Sequence, residues 1–289
     1  MPRPIIGADA VVKACLTQAA KDVEEQIGGP VIGYIGPMAR GMEMPIRDAL
    51  DRLHRRKGRD PLLCMLLETD GGTIEVVERL VGILRHHYSR VVFIIPNFAY
   101  SAGTVLALSG DIIYMDYFSV LGPIDPQLQM PDGQMVTMLG YLAKYDELIK
   151  KSKEHTLTSA ELTYLIKSFD PGKLYQYERA KELAGKLLEN WLVRFNFRTW
   201  KVSRKEKEKE AMRIAKLLSN PIEWCSHGRG ISMEVLCRRT KLNIKDFEKN
   251  RALRESVARY YDLLKDYQNK YRHGGVLHSE ADFIPFSFT

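Results

Sequence analysis

Cysteine is scarce in this sequence and never paired: four occur among 289 residues, at 15, 64, 225 and 237, and none stand in a CxxC spacing. Free thiols in a reducing compartment follow. Cys225, His227 and Cys237 lack a fourth ligand and fit no standard zinc spacing, so no metal and no other cofactor is expected. The N-terminus lacks a basic region followed by an apolar stretch, which argues against a secretion signal. Charge of one sign is also missing as a block. Lys and Arg number 43 against 36 Asp and Glu, a net +7, and the run 201–210 alternates sign. That run reads as a solvated helix face, and no nucleic-acid partner is expected. One apolar stretch, 91–110, nearly reaches membrane-span length, but Pro96, Asn97, Ser101 and Ser109 interrupt it and Arg90, Asp111 and Asp116 border it. No integral membrane span is expected, and a cytoplasmic location follows. Internal repeats and low-complexity linkers are absent.

What is present is an ordinary globular balance, 45% hydrophobic and 27% charged. Residues 8–27 have a helical pattern stopped by Gly28-Gly29-Pro30. Val31–Ile35, Leu62–Leu67, Val91–Ile95 and Ile112–Met115 read as strands, the middle two apolar enough to be covered on both faces. Helical spacing fills 45–57, 73–88 and 102–109 between them. Strand and helix therefore alternate over 31–115, the order of a parallel sheet with right-handed crossovers. Beyond about 130 the chain turns helical and charged. Residues 174–195 carry an apolar stripe through Ala180, Leu183, Ala184, Leu187, Leu188, Trp191, Leu192 and Phe195. A second, aromatic stripe over 246–271 suits the core or another subunit, and the tail after Arg272 could be free or docked.

Two strand-to-helix turns fall on the same edge of such a sheet, at Gly71-Gly72 and at Ser101, where parallel folds bind ligands. The plain reading of Ser101 is a helix N-cap, and that of Gly71-Gly72 a tight turn. The alternative is chemical. Ala102 and Gly103 allow close approach, the helix start supplies N–H groups, and the glycine amides face the same crevice. A hydroxyl nucleophile flanked by two such donors can stabilise an oxyanion, and losing one donor costs on the order of a hundredfold in rate.

The segments Leu66-Leu67-Glu68-Thr69-Asp70-Gly71-Gly72, Tyr100-Ser101-Ala102-Gly103-Thr104 and Val120-Leu121-Gly122-Pro123-Ile124-Asp125-Pro126-Gln127-Leu128 resemble the serine dehydrogenase proteinase family. This family lies in the Clp protease and crotonase-like superfamily, with signal peptide peptidase A as a relative. The resemblance covers residues 30–130 closely and extends more loosely to about 245. It implies an α/β Clp protease/crotonase-like fold of repeated strand-strand-helix units with a helical C-terminal extension. It also implies a serine peptidase acting on peptide or unfolded protein, and a homo-oligomer. The expected organisation is an N-terminal helix (1–29), the peptidase domain (30–245) and a C-terminal helix and tail (246–289). By the same resemblance Ser101 matches the nucleophile, and the amides of the Gly71-Gly72 turn and of Ala102 match the oxyanion hole. Asp70 stands where the family has proline, and Ala102 where it has glycine. A carboxylate pointing into an oxyanion hole would oppose catalysis.

Serine needs a general base. The segment that carries a histidine in Clp-type subunits offers Asp125 here, which reads as a turn residue between prolines. A serine–lysine arrangement would draw on residues 144–153, where Lys144 has the most apolar neighbours and Lys150, Lys151 and Lys153 look solvated. His227, in Trp224-Cys225-Ser226-His227-Gly228, is the other candidate. Lys144 could equally be a surface residue and His227 a structural loop histidine. A catalytically silent scaffold binding peptides or partner proteins is the alternative to a peptidase, and an acyl-CoA enzyme is a more remote third.

Overall fold

In the computed structural model, residues 7–57, 61–124, 127–129, 135–224, 226, 228–280 and 282–287 are described. Helix α1 (Ala8–Ile27) leads into strand β1 (Val31–Ile35), and α2 (Glu43–Lys57), β2 (Leu62–Glu68), α3 (Ile74–His87) and β3 (Arg90–Ile94) follow. Next come the two-residue strand β4 (Phe98–Ala99), the short helix α4 (Ala102–Leu108), β5 (Ile112–Met115) and a further two-residue strand, β6 (Val120–Leu121). A hairpin of β7 (Gln127–Gln129) and β8 (Met135–Thr137) opens a helical stretch of α5 (Met138–Lys153), α6 (Ser159–Ser168), α7 (Pro171–Trp191), α8 (Arg204–Leu218) and α9 (Pro221–Trp224). Then follow β9 (Ile231–Ser232), α10 (Met233–Arg239), β10 (Ile244–Asp246), α11 (Arg251–Lys270) and a hairpin of β11 (Gly275–His278) and β12 (Phe283–Phe286).

The main sheet has the order β10-β5-β3-β2-β1-β11-β12. The five strands from β10 to β1 run parallel, β11 pairs antiparallel with β1, and β12 pairs antiparallel with β11. All seven residues of β2 are buried, because helices cover both faces of the sheet. Alternate side chains go to opposite cores: Cys64 and Leu66 pack with α1 and α11, whereas Met65 and Leu67 pack with α2, α3, α4, α7 and α8. Gly28 ends α1 in the left-handed conformation, φ 81°, its N–H bonded to Glu24 O at 2.7 Å.

A second, small sheet, β4-β6-β9, lies beyond the C-terminal edge of the first. Thr69 joins it by a bridge to Ala99, and Met38 bridges Gly72. Each long strand thus continues into a short second-sheet segment before its helix: β2 into Thr69 then α3, and β3 into β4 then α4. This is the strand-strand-helix unit of the Clp protease/crotonase-like fold.

The aromatic stripe of α11 is core: Leu253, Val257, Tyr260, Leu264 and Tyr267 are buried against α1 and the sheet. The tail after Arg272 is docked, since β11 pairs with β1 through Gly33↔His278, Tyr34↔Leu277 and Ile35↔Val276. Helices α1 and α11 therefore pack against the central sheet, and the hairpin of β11 and β12 extends it. The charged run near 201–210 forms the start of α8, solvated as expected, with a capping box between Ser203 and Glu206.

Candidate active site

Ser101 joins β4 to α4, and the junction decides its conformation. Residue 103 must lie against β2's continuation: a Cβ on Gly103 would come within 2.2 Å of Thr69 Cγ2. Thr104 Oγ1 then ties the helix to both neighbouring strand ends, 2.7 Å from Ala99 O and 2.9 Å from Gly122 O. The chain has one residue in which to turn, and Ser101 adopts φ 53°, ψ −120°. A side chain with Cβ is strained there, and strain of this kind concentrates at functional sites. The hydroxyl makes no hydrogen bond to the helix it precedes, so the plain N-cap account of this serine does not hold. A serine on a sharp strand-to-helix turn exposes its Oγ at the edge of a sheet.

The Gly71-Gly72 turn stands directly against this junction. A Cβ on Gly71 would lie 2.6 Å from Tyr100 O, 2.8 Å from Ser101 Cβ and 3.2 Å from Ala102 N. Gly71 and Gly72 have φ of 97° and 144°, conformations that require glycine. Met38 clamps the turn: its N–H bonds Gly71 O at 2.7 Å, and its carbonyl accepts from Thr73 N at 2.9 Å. In such a parallel bridge the bonds go to the residues on either side, so the N–H of Gly72 is directed away from Met38. Ala102 is the first residue of α4, whose N–H has no intrahelical acceptor. Gly71 differs, because its N–H already bonds Thr69 Oγ1 at 3.0 Å. Of the three expected donors, Gly72 and Ala102 line the cavity with Ser101, while the Gly71 amide is engaged and Gly71 contributes close approach.

Gly72, Ser101 and Ala102 line one cavity of about 640 Å³. Its apolar wall comes from Val105 and Ile124 and, on α7, from Ala180, Leu183 and Ala184. The upper end of the α7 stripe therefore serves as a cavity wall, while Leu188 and Trp191 below it are core. The two chain reversals, 30 residues apart, share one hollow.

A profile of ClpP-like SDH-type serine proteinases matches residues 24–190, more than half of the chain. The chain belongs to this family. Two uncharacterized proteins of Methanocaldococcus jannaschii resemble this SDH-type chain. One is 28% identical over 186 residues, covering 58% of this chain and 61% of the relative. The other is 30% identical over 167 residues, covering 55% and 57%. The chain thus spans about three fifths of the curated relatives it matches. Among solved structures, two of the 1510-N membrane-bound stomatin-specific protease are similar. One shows 13% identity and a TM-score of 0.41, covering 74% of this chain and 77% of that one. The other, in complex with a substrate peptide, shows 14% and 0.42, covering 84% and 81%.

Asp70, the departure from the family pattern, is exposed and is not among the residues lining the cavity. Its neighbours are Glu68 and Lys265, and burial, then the charge of Glu68, raises its carboxyl above the ordinary range while Lys265 opposes that. Behind it lies a network that sequence reasoning missed. The Glu68 carboxylate, 2% exposed, accepts from Lys265 Nζ at 2.6 Å, from Asn97 Nδ2 at 3.0 Å and from the Tyr261 hydroxyl. Glu68 ends β2 and Lys265 lies on α11, almost 200 residues later, so no local spacing signals the pair.

Of the candidate bases in this SDH-type chain, Lys144 sits on α5 with its side chain about half exposed and its amine 3.0 Å from Glu147 Oε1. It does not line the Ser101 cavity. Lys150 and Lys151 also pair with carboxylates, those of Glu154 and of Glu147 and Glu161. His227, Asp125 and Cys225 lie outside the described residues. Among the described residues no cluster of His, Cys, Asp and Glu could hold a metal ion, and no helix is long and apolar enough to cross a membrane.

Proposed function

We propose that the protein is a serine peptidase in which Ser101 is the nucleophile. Ser101 Oγ attacks the carbonyl carbon of a peptide bond held in the cavity, and a general base takes its proton. The oxyanion that forms accepts hydrogen bonds from the Gly72 and Ala102 amides. The base returns the proton to the departing amine, leaving an acyl-enzyme on Ser101, and water then releases the acid. The observation that carries this reading is the strained, uncapped Ser101 packed against a glycine turn, both opening into the same cavity.

His227 is the favoured base. Its segment leads into β9, which pairs with β6 in the small sheet that also holds β4, the strand before Ser101. The amine of Lys144 is held by Glu147 and does not line the Ser101 cavity. The reading includes a peptide or unfolded-protein substrate and a cytoplasmic homo-oligomer, the latter open to sedimentation. A fluorophosphonate probe should label the wild-type protein and fail on Ser101→Ala and on His227→Ala, while Lys144→Ala labels normally. Absence of label on folded wild-type protein overturns the peptidase. The silent-scaffold alternative then stands, favoured by the engagement of Lys144, and it predicts partner binding unchanged in Ser101→Ala.

A further inference from the structure

Tyr177 is a buried polar group in the cavity that the mechanism above does not use. It lies on α7 one turn before Ala180, is 7% exposed, and lines the cavity together with Ser101. Its hydroxyl is buried and has no hydrogen-bond partner among the described residues. The nearest phenol cannot serve it: Tyr141 packs edge-on at 5.9 Å, and its own hydroxyl donates to Ser168 O and accepts from Asp170 N. Burial raises the Tyr177 phenol above its ordinary value, so it stays protonated and able to donate. Buried polar groups in native proteins have partners almost without exception, and an orphan calls for an explanation.

The rest of the cavity narrows what that partner is. Val105, Ile124, Ala180, Leu183 and Ala184 are apolar. The charged lining residues Arg40, Glu75 and Arg179 are exposed, and Arg179 is already paired with Glu182 at 2.6 Å. Thr73, Tyr175 and Gln176 add uncharged polar groups to the lining, Tyr175 being exposed, so a substrate side chain that reaches the apolar inner wall meets the buried Tyr177 hydroxyl there. A charged side chain on the apolar inner wall would lose its water, since the charged lining residues are on the exposed part of the cavity. A purely apolar one would leave the hydroxyl unpaired as before and forgo a hydrogen bond worth roughly tenfold to a hundredfold in binding.

We infer that Tyr177 is a specificity-determining residue: its hydroxyl hydrogen-bonds an uncharged acceptor, a carboxamide or hydroxyl, on the substrate residue that fills the Ser101 cavity. This rests on the peptidase reading, but its test does not require turnover. Ser101→Ala protein is presented with fluorescent peptide libraries that carry one fixed residue, Gln or the near-isosteric Met, between randomised positions. Binding is read by anisotropy. The Gln library should bind at least about tenfold more tightly, and adding Tyr177→Phe should erase the difference by weakening Gln alone. Thermal stability should be unchanged or raised in Tyr177→Phe, because an unpaired buried hydroxyl is removed. Equal weakening of both libraries, or a preference for Met before and after the substitution, overturns the assignment. Fluorophosphonate labelling of the chain with Ser101 intact separates the two claims. Label without Gln preference removes only the specificity role, and Gln preference without label removes only the peptidase.

Discussion

The two faces of the central sheet differ in where their polar groups lie. On the face of α1 and α11, buried polar side chains are drawn into pairs across the core: Glu68 with Lys265 and Tyr261, Tyr260 with His278 at 2.8 Å, and Tyr267 with Asp9 at 2.7 Å. On the face of α4 and α7, a serine sits in a strained backbone beside a glycine turn, and a buried phenol has no hydrogen-bond partner among the described residues. The pairing on the first face is incomplete, since Oε1 of Gln268 on α11 also lacks a partner among the described residues, but the second face opens its strained serine and its phenol into a cavity. That asymmetry is what a binding or catalytic cavity needs, since its polar groups must remain available to a ligand.

The comparison can be broken most severely by adding one methyl group to each face. Gly72→Ala puts a Cβ 2.4 Å from Met38 O at φ 144°. Fluorophosphonate labelling should slow at least about a hundredfold as the donor turn shifts. Gly33→Ala, whose Cβ would meet the Tyr260 hydroxyl at 2.5 Å, should cost about 2 kcal/mol of stability in denaturant titration, yet the folded fraction should label normally. If both variants lose labelling alike, the faces are not independent.

Acid should act on the paired face. His278, 2% exposed, has its pKa lowered by burial from 6.5 to about 4. The folded state therefore prefers the neutral ring. Stability is whole above pH 6.5 and falls as the pH drops from there toward 4, by about 3 kcal/mol in total. Denaturant titrations of wild type and His278→Phe across that window should show the slope in the first and a flatter profile in the second.

A smaller effect comes from Lys265→Ala, which leaves the buried Glu68 carboxylate without its cation. A loss of about 2 kcal/mol is expected, below the value for a fully buried pair because the lysine is one-third exposed. Labelling at Ser101 should persist. The smallest change has the opposite sign. Ser101→Gly relieves the positive φ and should raise stability by about 1 kcal/mol, while labelling disappears. A destabilised Ser101→Gly would show that the serine conformation holds no strain.

Much of the fold was legible in the chain because its signals are local. The apolar runs of β2 and β3 and the 3.6-residue spacing of α3 and α11 placed those elements within a residue or two, except that α11 starts at Arg251 after a short turn. The terminal hairpin was not legible, since β11 and β12 join the sheet only because the edge of β1 is open to them. At the site, Ser101 and the glycine pair could be singled out by residue type and resemblance. Tyr177 could not: it falls on the α7 stripe as any core tyrosine would, and whether its hydroxyl is partnered depends on what surrounds it.

By itself, then, the sequence determined the alternation of strands and helices and the two small-residue turns, because periodicity and glycine's freedom act over a few residues. The tertiary structure alone decided that those turns touch, that the amide of Gly71 is spent on Thr69, and that Asp70 stays out of the cavity lining with the charges of Glu68 and Lys265 acting on it. Hydrogen-bond supply and demand is settled between segments far apart in the chain, and no local pattern records it.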